Sequence, residues 1–181
     1  MEFDYVIVGA GSAGCVLANR LSATGRHKVL LLEAGPRDRY PWLHIPIGYA
    51  KTMFHPRYNW RYDTEPDPGM NGRSIYWPRG KVLGGSSAIN GLIYVRGQPE
   101  DYEHWAALGN PGWSWQDVLP YFIRSERNER GKDAFHGEEG PQGVSDVGSP
   151  NTLARAFIDA CVEAGYPANP DFNGESQEGA G

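Results

Sequence analysis

The sequence predicts an α/β fold with a Rossmann-like strand–turn–helix–strand unit at its start, and three observations carry that expectation. An apolar run from Phe3 to Val8 has the length and β-branched content of a buried parallel strand, and it stops at Gly9. The stretch Gly9-Ala10-Gly11-Ser12-Ala13-Gly14 follows at once and opens a segment whose apolar residues, Ala13, Val16, Leu17 and Leu21, recur at helical spacing. A second apolar run, Lys28 to Leu32, ends in the acid Glu33 about 20 residues past the last glycine.

Each residue of that unit has a physical reason. Gly9 permits a tight turn, Gly11 lets a pyrophosphate approach the backbone, and Gly14 lets helix and strand pack closely. Free N–H groups and the positive end of the helix dipole then face the phosphates. Glu33 stands where a carboxylate can accept from both ribose hydroxyls, and an acid there disfavours a 2′-phosphate, so NADP is the least suited dinucleotide. Glycines that serve only as turns are the alternative. Gly25 is placed to end the helix.

The chain has 181 residues, enough for one domain or for one domain and part of another. Its 24 glycines and 14 prolines, without a repeat period and with 12% aromatics, describe a loop-rich globular protein, not collagen or disorder. A net charge of -5 with no long basic run argues against a nucleic-acid or anionic-membrane surface. Cys15 and Cys161 lack any CxxC spacing, so neither a disulfide framework nor a metal site is expected, and a reducing compartment is. With no signal-type apolar run and no membrane-length apolar span, the expected location is the cytoplasm, without an integral membrane segment.

Between Pro36 and Pro78 the periodicity disappears. Prolines recur at Pro41, Pro46, Pro56, Pro66 and Pro68, interleaved with Tyr40, Trp42, Tyr49, Phe54, Tyr58, Trp60, Tyr62, Tyr76 and Trp77. So long a segment without regular structure is often a functional cover, and its aromatics argue that it packs down over the nucleotide; a plain surface loop is the alternative.

A second glycine-rich stretch, Arg79 to Gly91, decides more. Gly84-Gly85-Ser86-Ser87 allows close backbone approach and supplies N–H and hydroxyl donors, and Asn90 adds an amide that both donates and accepts. A nest of N–H groups at a small-residue turn suits a pyrophosphate or a flavin ring edge. Leu92 to Val95 reads as a short strand or an apolar turn.

Gly80-Lys81-Val82-Leu83-Gly84-Gly85-Ser86-Ser87-Ala88-Ile89-Asn90, followed by Tyr94 and Gly97, resembles the first signature of the glucose–methanol–choline (GMC) oxidoreductases. Asp4 to Gly14 resembles that family's FAD fingerprint, and Pro141-Gln142-Gly143-Val144 and Asp171-Phe172-Asn173-Gly174 are similar to runs in its choline-dehydrogenase-like members. The resemblance spans essentially the whole chain. It implies a Rossmann-like, glutathione-reductase-type FAD domain over residues 1–136, incomplete, and the beginning of a truncated α+β substrate domain over 137–181.

By that resemblance Gly9, Gly11, Ser12, Ala13 and Gly14 hold the FAD pyrophosphate, and Glu33 with Ala34 meets the adenosine ribose. Val82, Gly85, Ser86, Asn90, Gly91, Leu92 and Ile93 line the flavin and its phosphates, with Trp60 near the cofactor. In some relatives a His two residues before the Arg of Arg-Gly-Lys is joined to the flavin. Here that position is Trp77, so non-covalent FAD is implied. The chemistry implied is hydride transfer from an alcohol carbon to flavin N5, with oxygen or a quinone-type acceptor to reoxidise the flavin. A flavin-binding module that needs a partner chain, and a nicotinamide-dependent dehydrogenase, are the other readings. The glycine-rich second stretch has no purpose in a simple NAD fold.

The catalytic base of relatives is a His near the C-terminus, paired with another His or Asn. His27, His44, His55, His104 and His136 do not match that motif, so each is expected on the surface or in packing, and no catalytic residue is assigned within these residues. Residues 98–130 read as helices with a stop at Gly109, the tryptophans Trp113 and Trp115 as packing anchors, and Arg124 to Arg130 as a solvated helix end or loop. Ser149 and Pro150 predict a helix start, with Leu153, Ala154, Phe157, Ile158 and Cys161 as a buried stripe ended by Gly165. Cys15 and Cys161 are expected in packing, not as nucleophiles. The chain is expected to be the N-terminal part of a longer enzyme or one of two assembling chains; alone it leaves strands unpaired and apolar faces exposed.

Overall fold

The two apolar runs form strands. β1 (Tyr5–Val8) pairs in parallel with β2 (Val29–Leu32), Tyr5 opposite Val29 and Val8 opposite Leu32. A parallel pair needs a crossover, and α1 (Ser12–Ser22) supplies it. The computed structural model describes residues 1–181, and the chain divides by packing into two units, Met1–Ile93 and Tyr94–Gly181.

In the first unit the β1–β2 sheet has only two strands, and Val6, Val8 and Leu32 stay exposed, as do Val16 and Leu17 of α1. The proline-rich segment is ordered. It contains short 3-10 turns at Pro41–Leu43 and Pro46–Gly48, α2 (Tyr49–Thr52), and an antiparallel pair of β3 (Tyr62–Asp63) with β4 (Tyr76–Trp77). Its order comes from one buried amide and stacked rings. Asn59 Oδ1 accepts from the N–H groups of Arg61 and Arg79, both at 2.9 Å, and Nδ2 donates to the Tyr76 hydroxyl and the Met53 carbonyl. Tyr40 stacks on Tyr58 at 5.0 Å, Phe54 on Tyr76 at 5.3 Å and Trp60 on Tyr62 at 5.9 Å between ring centres.

The second unit holds α3 (Pro99–Ala107), α4 (Trp115–Ser125), a parallel pair of β5 (Glu126–Asn128) with β6 (Gln142–Val144), and α5 (Thr152–Glu163). Tyr102 is buried with Trp105, Trp115 and Phe122 around its ring; Trp113 meets Trp105 edge-on at 5.6 Å but stays 49% exposed, so it packs at the rim and not in the core. Three expectations are corrected. The segment Arg124 to Arg130 is solvated at Arg124, Arg127, Glu129 and Arg130, but it enters β5, where Glu126 is buried at 0% exposure. The last helix is capped by Asn151, whose Oδ1 accepts from Leu153 N–H at 2.9 Å, and not by Ser149. The stripe on α5 is not buried: Leu153 and Phe157 are exposed and Cys161 is half-buried, because helical spacing fixes a face without supplying a partner for it.

The centre of this unit is charged. Arg96 Nη2 donates to Glu126 Oε2 at 2.8 Å and Nη1 to the Phe135 carbonyl at 2.7 Å. The His136 ring lies between two carboxylates, with Nδ1 3.2 Å from both oxygens of Glu126 and Nε2 2.8 Å from Asp171 Oδ2. Arg96, Glu126 and His136 side chains are 2%, 0% and 3% exposed, a burial that charges tolerate only when paired. His136 is therefore a packing histidine, as expected.

Asp133 fixes the turn that carries His136. Burial of its carboxyl works against ionisation, but the N–H groups of Phe135 and His136, both 2.7 Å from Oδ1, outweigh it and hold the carboxyl below its ordinary 3.8. A folded-state value below the unfolded one gives stability that is complete above about pH 4 and lost as pH falls through the folded value. Thermal melts of the parent and Asp133→Asn should therefore differ by a constant amount above about pH 5 and converge as pH falls below the ordinary carboxyl range. A difference that persists unchanged into acid would show that the ionised carboxylate is not what holds the turn.

Candidate functional site

The turn after β1 is built for close approach. Gly9 has φ +95°, and a Cβ on Gly14 would lie 1.9 Å from the Gly9 carbonyl oxygen, so only glycine lets α1 fold back on the strand. Gly11 caps α1 with no side-chain bond to the helix, which leaves its first N–H groups free to face a ligand. A Cβ on Gly11 would meet nothing within 4 Å, so this glycine opens onto space.

Glu33 ties the end of β2 to this turn. Its Oε2 accepts from Ala10 N–H and its Oε1 from Gly35 N–H, each at 2.8 Å. Each carboxylate oxygen has a second lone pair, so acceptor capacity for hydroxyl groups remains.

The second glycine-rich stretch packs directly on the first. Gly84 N–H donates to the Ala10 carbonyl at 2.7 Å, Leu83 N–H to the Pro36 carbonyl at 3.0 Å, and Ser12 Oγ meets Ser87 Oγ at 3.1 Å. Gly85 has φ +60°, and a Cβ there would lie 2.7 Å from Gly11 Cα. Gly80 N–H donates to Ser86 Oγ at 3.1 Å.

Between the two stretches runs an open cleft of about 660 Å³ lined by Val8, Gly9, Gly11, Leu32, Glu33, Ala34, Trp60, Tyr62, Arg79, Gly80, Gly85 and Ser86. Of the residues singled out from sequence, Gly9, Gly11, Glu33, Ala34, Trp60, Gly85 and Ser86 meet here. Val82 is fully buried behind it, and Gly14 is buried against Gly9. Ser12 and Ala13 begin α1. Asn90 and Leu92 line a separate hollow of about 100 Å³ with Trp42, His44 and Ser87, while Ile93 is 84% exposed. Gly91 has open space around its Cα.

Sequence reasoning missed Tyr62, Arg79 and Gly80 as lining residues. Tyr62 follows from its stacking on Trp60, and Arg79 and Gly80 open the second motif itself. Cations flank the cleft: Arg79 stands over Trp77 at 4.8 Å, and Lys81 Nζ over Trp60 at 4.4 Å. Glu33 is the only acid on its wall. A trench of free N–H groups with cations beside it and one hydrogen-bonded carboxylate suits a diphosphate with a ribose attached. No His lines the cleft. No group of three or more His, Cys, Asp or Glu side chains is arranged to hold a metal ion, and no helix is long and apolar enough to cross a membrane.

The family model described as GMC oxidoreductase matches residues 3–181. The chain belongs to the GMC oxidoreductase family. Among curated GMC relatives, the "Oxygen-dependent choline dehydrogenase" of Photobacterium profundum is 50% identical over 181 residues, covering 99% of this chain and 32% of that protein. The "Alcohol dehydrogenase [acceptor]" of Pseudomonas putida is 49% identical over 180 residues, covering 99% of this chain and 33% of that one. The chain thus spans about a third of the length of the curated relatives it matches. Among solved structures, pyridoxine 4-oxidase from Mesorbium loti superposes with a TM-score of 0.88 at 38% identity, over 95% of this chain and 34% of that one. An FAD-dependent oxidoreductase from Chaetomium thermophilum gives a TM-score of 0.81 at 34% identity, over 96% and 31% of the two chains. The GMC fold of these neighbours is Rossmann-type, and the β1–α1–β2 unit opens the roughly one third of it that this chain carries.

Proposed function

We propose that this chain forms the N-terminal, FAD-binding part of an oxidoreductase that oxidises an alcohol CH–OH group to an aldehyde or ketone. One observation carries the reading: the two glycine-rich stretches touch at Gly85 and Gly11 and together wall a single cleft. A plain nicotinamide fold needs only the first stretch.

The residues fit the nucleotide half of FAD. The uncapped start of α1, opening at Gly11, presents N–H donors to a diphosphate, and Arg79 adds a positive charge on the same wall. Glu33, held by Ala10 and Gly35, keeps lone pairs for ribose hydroxyls. Trp60 and Tyr62 form a stacked apolar wall that keeps water from one side. Val82, Gly85, Ser86 and the Asn90 to Ile93 segment would continue toward the flavin. The chemistry that the group supplies when bound is hydride acceptance at N5. Trp77 presents an indole, which has no nucleophilic nitrogen, so the cofactor is held without a covalent bond. Organisation of the whole protein into an FAD domain over 1–136 and the start of a substrate domain over 137–181 is part of the same proposal, as are an alcohol substrate, an oxygen or quinone-type acceptor, and further polypeptide supplying the base that takes the hydroxyl proton.

The absence of histidine from the cleft favours a second reading, a flavin-binding module that turns over nothing without its complement. Purified protein is expected to show flavin absorption bands, and acid precipitation should release the flavin into solution. Bleaching of those bands by an alcohol without oxygen supports the enzyme; bound flavin that no alcohol bleaches supports the bare module. Protein that takes up no flavin would overturn both.

A further inference from the structure

The Asp171-Phe172-Asn173-Gly174 run plays no part in the cleft, yet its loop is heavily built. Asn169 is 8% exposed; its Oδ1 accepts from Asp171 N–H at 2.9 Å, and its Nδ2 donates to the carbonyls of Ser176 and Glu178 at 2.8 and 3.1 Å. Asp171 Oδ1 in turn accepts from Asn173 N–H at 2.9 Å. Short polar side chains bonding to nearby backbone make such a loop rigid without helix or sheet.

What the rigid loop holds is the segment Tyr94–Arg96. Asn173 Oδ1 accepts from Arg96 N–H at 2.8 Å, and Asn173 Nδ2 donates to the Tyr94 carbonyl at 2.9 Å. An N–H and a C=O two residues apart on one side of an extended chain are the pair that a neighbouring strand would satisfy. One side-chain amide therefore replaces a β-ladder partner here. Gln177 Nε2 adds a bond to the Arg96 carbonyl at 2.9 Å. The Arg96 side chain is fixed independently in the Glu126–His136–Asp171 cluster, whose last member belongs to the same loop. Backbone and side chain of one residue are thus tied to one platform.

The clamped segment follows Asn90–Ile93 along the chain without an intervening residue. Within that stretch Leu92 has φ +63°, a conformation that costs a non-glycine residue energy and persists only when its surroundings over-determine it. Its N–H donates to Asn90 Oδ1 at 3.0 Å, which fixes it from the N-terminal side. The C-terminal restraint nearest to it in the chain is the clamp at Tyr94.

We propose that Asn173 is a positioning residue: its amide anchors Tyr94–Arg96 and thereby holds the strained Asn90–Ile93 segment in the shape it presents to the flavin. This rests on the FAD reading above. The test compares flavin-loaded protein, parent against Asn173→Ala, Asn173→Asp and Asn110→Ala, the last removing an exposed bond from Asn110 Nδ2 to the Trp105 carbonyl in the same unit with no bond to the clamp loop. Amide exchange at Arg96 is expected to quicken about tenfold in Asn173→Ala, the equivalent of one hydrogen bond. It should quicken less in Asn173→Asp, which keeps an acceptor for Arg96 N–H and loses the donor to Tyr94. The visible circular dichroism of the bound flavin should change most in Asn173→Ala and less in Asn173→Asp. Asn110→Ala should leave exchange at Arg96 and the flavin signal at parent values. Parental exchange at Arg96 in both Asn173 variants would overturn the clamp. Faster exchange with an unaltered flavin signal would overturn positioning, and so would a flavin change that Asn110→Ala reproduces. Should Asn173→Ala not fold, Asn173→Asp decides by the same criteria. A parent protein that takes up no flavin sinks the FAD reading and positioning with it, while exchange at Arg96 still tests the clamp alone.

Discussion

Glu126→Ala is expected to unfold the Tyr94–Gly181 unit under conditions that leave the parent intact. The carboxylate is fully buried and accepts from Arg96 Nη2 at 2.8 Å, Gly137 N–H at 3.0 Å and Asn128 Nδ2 at 3.2 Å, with His136 Nδ1 alongside. Its removal leaves a guanidinium at 2% exposure with the Phe135 carbonyl as its remaining hydrogen-bond acceptor, and Arg96 Nε already lacks one. Breaking one side of a buried pair costs about 3–5 kcal/mol, because an uncompensated charge stays in a medium that cannot solvate it. That loss is comparable with the whole stability of a small domain, about 5–15 kcal/mol. Near-ultraviolet circular dichroism follows it directly, since Trp105, Trp113 and Trp115 pack within the same unit. The paired change Arg96→Met with Glu126→Leu removes both charges, so its cost should fall well short of the summed single costs. A loss below about 1 kcal/mol for Glu126→Ala would show that the charges are hydrated in solution and that the cluster is not the core of the unit.

That cluster is also where the sequence was least readable. Arg96, Glu126, His136 and Asp171 come from four segments, and no periodicity connects residues so far apart. Glu126 sat in a run of alternating charge that composition assigns to solvent, and only its entry into β5, facing Arg96, buries it. The β1–α1–β2 unit was legible because its reasons are local. Strand length, helical spacing and three glycines lie within one short stretch; Gly9 answers a dihedral angle and Gly14 a contact that neighbours in sequence impose, while Gly11 leaves open space for a ligand. The second motif was legible as chemistry but not as placement. Nothing in its own residues says that Gly84 bonds to Ala10 or that Arg79, Gly80 and Tyr62 reach the same cleft. The α5 stripe failed differently: its spacing correctly gives an amphipathic helix, but burial of a face depends on a partner, and this unit places none over Leu153 and Phe157.

Gly85→Ala should abolish flavin uptake while leaving the tryptophan signal of the second unit unchanged. Two penalties combine at this position. With φ +60°, a residue carrying Cβ pays about 1–2 kcal/mol to stay left-handed. The added atom would also stand 2.7 Å from Gly11 Cα, a backbone atom that no side-chain rotation can move aside. The relief must come from separating the two glycine-rich stretches, which breaks the 2.7 Å bond from Gly84 N–H to the Ala10 carbonyl and parts the two walls of the cleft. Gly9→Ala divides the two effects, because Gly9 has φ +95° but open space around its Cα. It should lose thermal stability through backbone strain alone and lose less flavin affinity than Gly85→Ala. Flavin titration followed by absorbance, with melting curves of the same samples, ranks the three proteins. If Gly85→Ala binds flavin as the parent does, then contact between the two stretches is not what forms the site. If Gly9→Ala proves the more damaging for binding, then the turn after β1, and not the packing of the second stretch upon it, is what the cofactor requires.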